Sequence, residues 1–227
     1  MEQTSAAVGR RDVSYATHMA LFLFLVRHAR AEYRPGRLYG WTPGVHLAPD
    51  GAEEAKRLGE RLEPVRLKAI YSSPLERCVE TADAIIAGRA LELQTVDGLG
   101  EVRYGSWQGK SFKTLARTKL WRIVQLHPSQ ATFPGGESLR AMQARAVQAV
   151  EDIRSRHRRG AVAVVTHADV LKAVVAHYLG MHLDLFQRIV IAPASVTLLA
   201  LGDGFPRLVR LSDSGSFEEF RPKAKRS

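Results

Sequence analysis

Residues Leu21 to Val26 read Leu-Phe-Leu-Phe-Leu-Val, six apolar side chains with no polar break. A half-buried strand alternates in polarity. A short unbroken run is instead covered on both faces, as in a parallel sheet flanked by helices. The run ends at Arg27-His28, two side chains that resist burial. Either the pair is an ordinary polar strand exit, or the strand mounts two functional groups at its tip. Other groups of matching chemistry past other strand ends decide between these.

The remaining chain repeats the strand–helix rhythm. Helical spacing of Ala55, Leu58 and Leu62 predicts a helix over 49–63. Leu67 to Tyr71 reads as a second strand. "SSPLER" follows, with Ser73 as N-cap, Pro74 at N1 and Glu76 at N3, a capping box opening a helix to about Gly88. Leu91 to Val96 is the third strand. Residues 97–134 break the rhythm and form an inserted segment with one helix near 113–125. "PGGES" opens a long helix over 137–157, with Leu139, Met142, Ala146, Val150 and Ile153 as core positions. Ala161 to Thr166 is the fourth strand, followed by a helix over 169–179. Val196–Leu201 and Leu208–Leu211 form a late hairpin across "GDGFP". The expected fold class is α/β, a three-layer α/β/α sandwich with a mainly parallel sheet.

The chain of 227 residues, 45% of them hydrophobic, suits one domain, here over 19–213. Residues 1–18 read as a polar, poorly ordered extension, and 214–227 as a basic tail. The N-terminus caricatures a signal peptide. Its apolar run is too short to span a membrane, and cleavage after Ala31 would delete the Arg-His pair. Met19 is an alternative start. A net charge of +10 suits anionic partners such as phosphate esters. "RSRHRR" (Arg154 to Arg159) and "RPKAKRS" read as solvated surface, because no nucleic-acid signature accompanies them. Neither a nucleic-acid nor a membrane partner is expected. The single cysteine, Cys78, suits a reducing cytoplasm and reads as a core residue. A homodimer is compatible with the sequence, which does not fix the oligomeric state.

Past the strand ends stand Arg27 and His28, then Arg77, then Glu101, then His167. In open α/β sheets, ligands bind at the carboxyl ends of the strands, so parallel strands would bring these groups together. Two guanidinium forks match phosphate oxygens. Helix N-termini after Ser73 and at Ala168 add backbone N–H donors. Two imidazoles and a carboxylate can supply a nucleophile, an oxyanion partner and a proton donor. Each residue alone has an ordinary surface or core reading. A zinc site built from His28, Glu101 and His167 is the sharpest rival, and Arg27 and Arg77 would repel a cation there.

In "LVRHA", "YSSPLERCVETA", "EVRYGSWQGKSF", "PGGES" and "VVTHADVLKAVV", in that order, the chain resembles the histidine phosphatase superfamily, the phosphoglycerate mutase-like proteins. The resemblance covers roughly Leu21 to Leu211. It implies His28 as the nucleophile that forms a phosphohistidine. Arg27, Arg77 and His167 would hold the phosphoryl oxygens, and Glu101 would be the proton donor and then the base for water. It also implies no metal and no organic cofactor, and a small phosphorylated metabolite as substrate.

Many members of that family continue Arg-His-Gly-Glu, with an Asn a few residues on. Here Ala29, Arg30 and Ala31 follow, and Arg34 stands where the Asn falls, offering a charged contact instead. The "VRYGSWQGKSF" segment and a short insertion look more like phosphatase branches than glycolytic mutases. A phosphatase is therefore the favoured expectation and a mutase the alternative, with a catalytically quiet binder of acidic partners as a third reading. Tyr33, Arg34, Arg37, Trp41, Tyr104 and Trp107 are expected to line the mouth. Arg34 and Arg37 hint at a second anionic group on the substrate, with solvated loop charges as the plainer reading.

Overall fold

The computed structural model describes residues 20–222. The proposed N-terminal extension lies outside the described residues. Six strands form one sheet in the order β3-β2-β4-β1-β5-β6. They are β1 (Leu21–Arg27), β2 (Leu67–Ser72), β3 (Leu93–Thr95), β4 (Gly160–Thr166), β5 (Val196–Leu201) and β6 (Arg207–Asp213). β1, β2, β3 and β4 run parallel, and β5 and β6 add an antiparallel hairpin beside β1.

The apolar run of β1 has a direct explanation. Leu21, Leu23 and Leu25 enter one core, and Phe22, Phe24 and Val26 enter the other. The first core is closed by α5 (Leu139–Arg156), α6 (Ala168–Tyr178) and the 97–134 segment. The second is closed by α1 (Pro49–Leu62) and α2 (Glu76–Ile86). Alternation persists, but both alternating faces are dry. The expected core stripe of α5 is buried from Leu139 to Ile153.

Three local expectations are corrected. The capping box does not form: α2 starts at Glu76 with Leu75 at its N-cap. Ser73 Oγ is instead hydrogen-bonded to His167 Nε2, and Glu76 Oε1 accepts from the Gly44 N–H. The inserted segment holds two short helices rather than one, α3 (Phe112–Leu115) and α4 (Lys119–Leu126). Thr118 separates them, because its hydroxyl caps the Trp121 N–H and starts a new helix. The boundary at 214 is also too early. Phe217 is fully buried, edge-on to Phe24, and Arg210 stacks over its ring. Phe220 packs against Phe22 and Phe24, so residues 217–220 close the second core.

Candidate active site

Register sets the heart of the site. Arg27 pairs with Thr166 across β1 and β4, and Ser72 pairs with Val165 across β2 and β4. His28 and His167, the next residues on neighbouring strands, therefore emerge side by side, with Ser73 one residue behind them, level with Thr166. His28 N donates to Thr166 O, and Ser73 N to Val165 O, each at 2.9 Å. The two imidazole centroids lie 5.3 Å apart.

Each ring has a defined proton. His28 Nδ1 donates to Ala29 O at 2.7 Å, which leaves Nε2 as the lone-pair nitrogen. His167 Nδ1 accepts from Arg77 Nη2 at 3.2 Å, so its Nε2–H donates to Ser73 Oγ at 2.8 Å. Burial, then the Arg77 charge, holds the His28 pKa down at about 3. The same two causes, followed by the neighbouring His28, push His167 well below the ordinary imidazole range. Both rings are neutral at physiological pH.

Arg77 lies beneath them, 1% exposed. Its Nη2 also donates to Gly40 O. Its Nε and Nη1 are buried with no hydrogen-bond partner among the described residues, and the same holds for Arg27 Nε. Buried guanidinium donors without acceptors are costly and point to an anion they are built to receive. Arg27 Nη1 is anchored on Ile191 O at 2.6 Å. Gly40 is required here. It sits at a φ of +54°, and a Cβ would come within 2.8 Å of the Tyr104 ring.

Glu101 approaches from the inserted segment. Its Oε2 lies 3.8 Å from His167 Nδ1, and its Oε1 accepts from Val102 N at 2.9 Å. Burial, then the negative Asp169, raises its pKa to about 7 against the opposing pull of Arg77. The segment is pinned by Arg145 of α5, which donates to the carbonyls of Gly98, Gly100 and Glu101, each at 2.8 Å, while paired with Glu137. The Trp41 indole N–H also donates to Glu101 O. Nothing in the sequence marks Arg145, since its partners are backbone carbonyls about 45 residues distant.

A cavity of about 260 Å³ opens over Arg77 and Glu101. Tyr33, Arg34, Arg37 and Tyr104 line it as expected, joined by Leu38, Tyr39 and Phe112. Trp107 does not. It is buried against Trp121 and Phe133, because an indole this large is worth more in the core than on a rim. Trp41 stands behind Glu101, under the Arg103 guanidinium, and not on the cavity wall. Arg34 is exposed where it lines the cavity. Arg37 Nη1 donates to Gly109 O at 2.7 Å. Ala168 opens α6, so its N–H has no acceptor within the helix. Cys78 is buried 3.4 Å from His167 Nε2, and burial pushes its thiol up to about 12, consistent with packing. Among the described residues no cluster of three or more His, Cys, Asp or Glu has metal-site geometry, and no helix is long and apolar enough to cross a membrane.

This arrangement has recognisable relatives. The family model "Histidine phosphatase superfamily (branch 1)" matches residues 23–214. Phosphoserine phosphatase 1 of Hydrogenobacter thermophilus is 30% identical over 204 residues, covering 89% of this chain and 97% of that protein. A 2,3-bisphosphoglycerate-dependent phosphoglycerate mutase of Mesorhizobium japonicum is 31% identical over 206 residues, covering 86% and 94%. The solved structure of Bacillus stearothermophilus YhfR superposes with a TM-score of 0.81 at 30% identity, covering 86% of this chain and 98% of that one.

Proposed function

The chain belongs to the histidine phosphatase superfamily (branch 1), and from that premise we propose that it hydrolyses a small phosphomonoester through a phosphohistidine at His28. One observation carries the reading: Arg77 Nε and Nη1 lie buried and unpartnered beside two neutral imidazoles. A phosphoryl group is an acceptor of matching size and charge.

In the first step His28 Nε2 attacks phosphorus. The N–P bond forms as the ester P–O bond breaks, and the proton on Glu101 passes to the departing alkoxide. Arg27, Arg77 and the Ala168 N–H receive the equatorial oxygens, with the neutral His167 ring beside them. In the second step water attacks phosphorus, the N–P bond breaks, and Glu101 takes the water proton. A pKa near 7 lets one carboxyl serve both steps. Charge compensation at phosphorus comes from fixed guanidinium groups, so the scheme needs neither metal nor organic cofactor.

The relatives carry phosphatase and mutase activities at nearly equal identity, so the choice between them rests on the mouth. A mutase must shield phosphohistidine from water. Here Tyr33 and Phe112 on the rim are 38% and 40% exposed, which supports water as the acceptor. The confined cavity favours a small metabolite over a nucleic acid or membrane surface. The lone buried Cys78 favours a reducing cytoplasm.

The test is p-nitrophenyl phosphate turnover in EDTA, wild type against His28→Ala. Turnover that survives the chelator and disappears in the variant supports the proposal. Equal turnover in both proteins, or loss on chelation, contradicts it. Incubation with 3-phosphoglycerate and a little 2,3-bisphosphoglycerate should release free phosphate, and dominant formation of 2-phosphoglycerate would make the protein a mutase.

A further inference from the structure

We infer that the phosphomonoester taken by this site carries a flat apolar body, such as an aromatic ring, rather than a short polar chain. The inference rests on the phosphatase reading above and specifies its substrate class.

The walls lead to it. Beyond the charged floor, the cavity is faced by Tyr33, Leu38, Tyr39, Tyr104 and Phe112. Three aromatic side chains are exposed among the described residues, Tyr33, Phe112 and Phe205, and two of these three line this one cavity. Apolar surface left in water around a concave site marks a place where ligand covers it. The surface is also continuous with the chemistry. The Tyr33 centroid lies 6.4 Å from that of His28, and the Tyr39 centroid lies 4.8 Å from that of Tyr33. A ring joined to the ester oxygen by one or two carbons would lie along this surface, where aromatic faces prefer offset or edge contacts.

The polar groups argue the same way by what they are already doing. Tyr39 Oη accepts from Arg34 N, and Tyr104 Oη is directed to Asp169 Oδ2 at 3.4 Å. Arg37 is drawn to Gly109 O, where it ties the 33–40 loop to the segment before α3. Of the cationic rim, that leaves the exposed Arg34 to meet a second anion. Among the described residues, Glu101, the proposed acid, is the only carboxylate lining the cavity. A substrate ammonium group would have to pair with it and oppose its protonation. A zwitterionic amino acid ester therefore fits poorly, and an apolar body fits the surface that exists.

The test compares kcat/KM for 2-phenylethyl phosphate and ethyl phosphate. Both leave as primary alkoxides, so the ratio reads binding of the ring and not leaving-group chemistry. The expected ratio is about tenfold or more in favour of the ring. It should collapse toward unity in the Tyr33→Ala/Phe112→Ala double variant. It should persist in Phe205→Ala, whose exposed ring is remote from the cavity. A wild-type ratio of unity overturns the inference, as does a ratio that the double variant leaves intact. Preference for O-phosphoserine or 3-phosphoglycerate that is lost in Arg34→Ala also overturns it, and assigns recognition to charge. If no ester releases phosphate in a His28-dependent way, the phosphatase reading itself fails, and this inference falls with it.

Discussion

The floor and the rim of the cavity are built on opposite terms. His28, Arg77 and His167 are almost wholly buried at strand ends, and their placement follows from sheet register and one helix turn. Tyr33, Arg34 and Phe112 are exposed, on a loop and a four-residue helix held together by a few backbone bonds such as Phe112 N to Gly36 O at 2.7 Å. The floor holds polar groups where they are costly, and the rim holds apolar groups where they are wet. Each is unfavourable for the free protein, and the two signs of misfit describe the two halves of one ligand, a phosphoryl group below and an apolar body above.

Replacing Arg77 tests the contrast hardest. Arg77→Met should lower kcat/KM by about 10³-fold through loss of charge stabilisation. Its Tm should rise by about 2–4 °C, because the buried guanidinium and its unpartnered donors are removed. Inorganic phosphate should raise the wild-type Tm and leave that of the variant unchanged. A fall in the variant's Tm would mean the floor is a structural network and not a site held in strain.

Glu101→Gln should reduce turnover of alkyl phosphates by about 10²- to 10³-fold, with a smaller loss on p-nitrophenyl phosphate, whose leaving group needs little protonation. The sign of the pH dependence follows from the raised pKa. The acid form is present below about pH 7 and is lost above it, so wild-type kcat/KM for alkyl phosphates should descend as pH rises through that value. His28, held near 3, adds no limb of its own between pH 5 and 8. The descending limb should be absent in Glu101→Gln, and a limb that remains would assign it to another group.

The smallest effect concerns tuning. Asp169 raises the Glu101 pKa and is itself bonded to Lys172 Nζ at 3.2 Å. Asp169→Asn should move the descending limb to lower pH with little change in turnover on the acid side. No movement would show that burial alone sets the carboxyl.

The same contrast explains what is legible in sequence. Arg27, His28 and His167 stand next to apolar runs that can only be buried strands, so their convergence follows from strand direction. Arg77 is readable from "SSPLER", although Ser73, which looks like a helix cap there, bonds to His167. The rim is not legible, because its lining depends on which loop lies over which. Trp107 and Phe112 are five residues apart in similar company, yet one is core and the other cavity wall. Phe217 and Phe220 close the second core from a stretch dominated by charge, where two aromatics alone give no period to read. Arg145 is one of several arginines on its helix, and only the fold reveals the carbonyls it holds.

The central claim is that the floor exists to place phosphorus on His28 Nε2. Mixing enzyme with labelled phosphomonoester, quenching in alkali within the first turnover and sequencing the labelled peptide tests this most directly. The account predicts an alkali-stable, acid-labile label on His28 that forms and decays as fast as the enzyme turns over. Label on His167, Ser73 or Cys78, or turnover that proceeds with no covalent label at all, would contradict it.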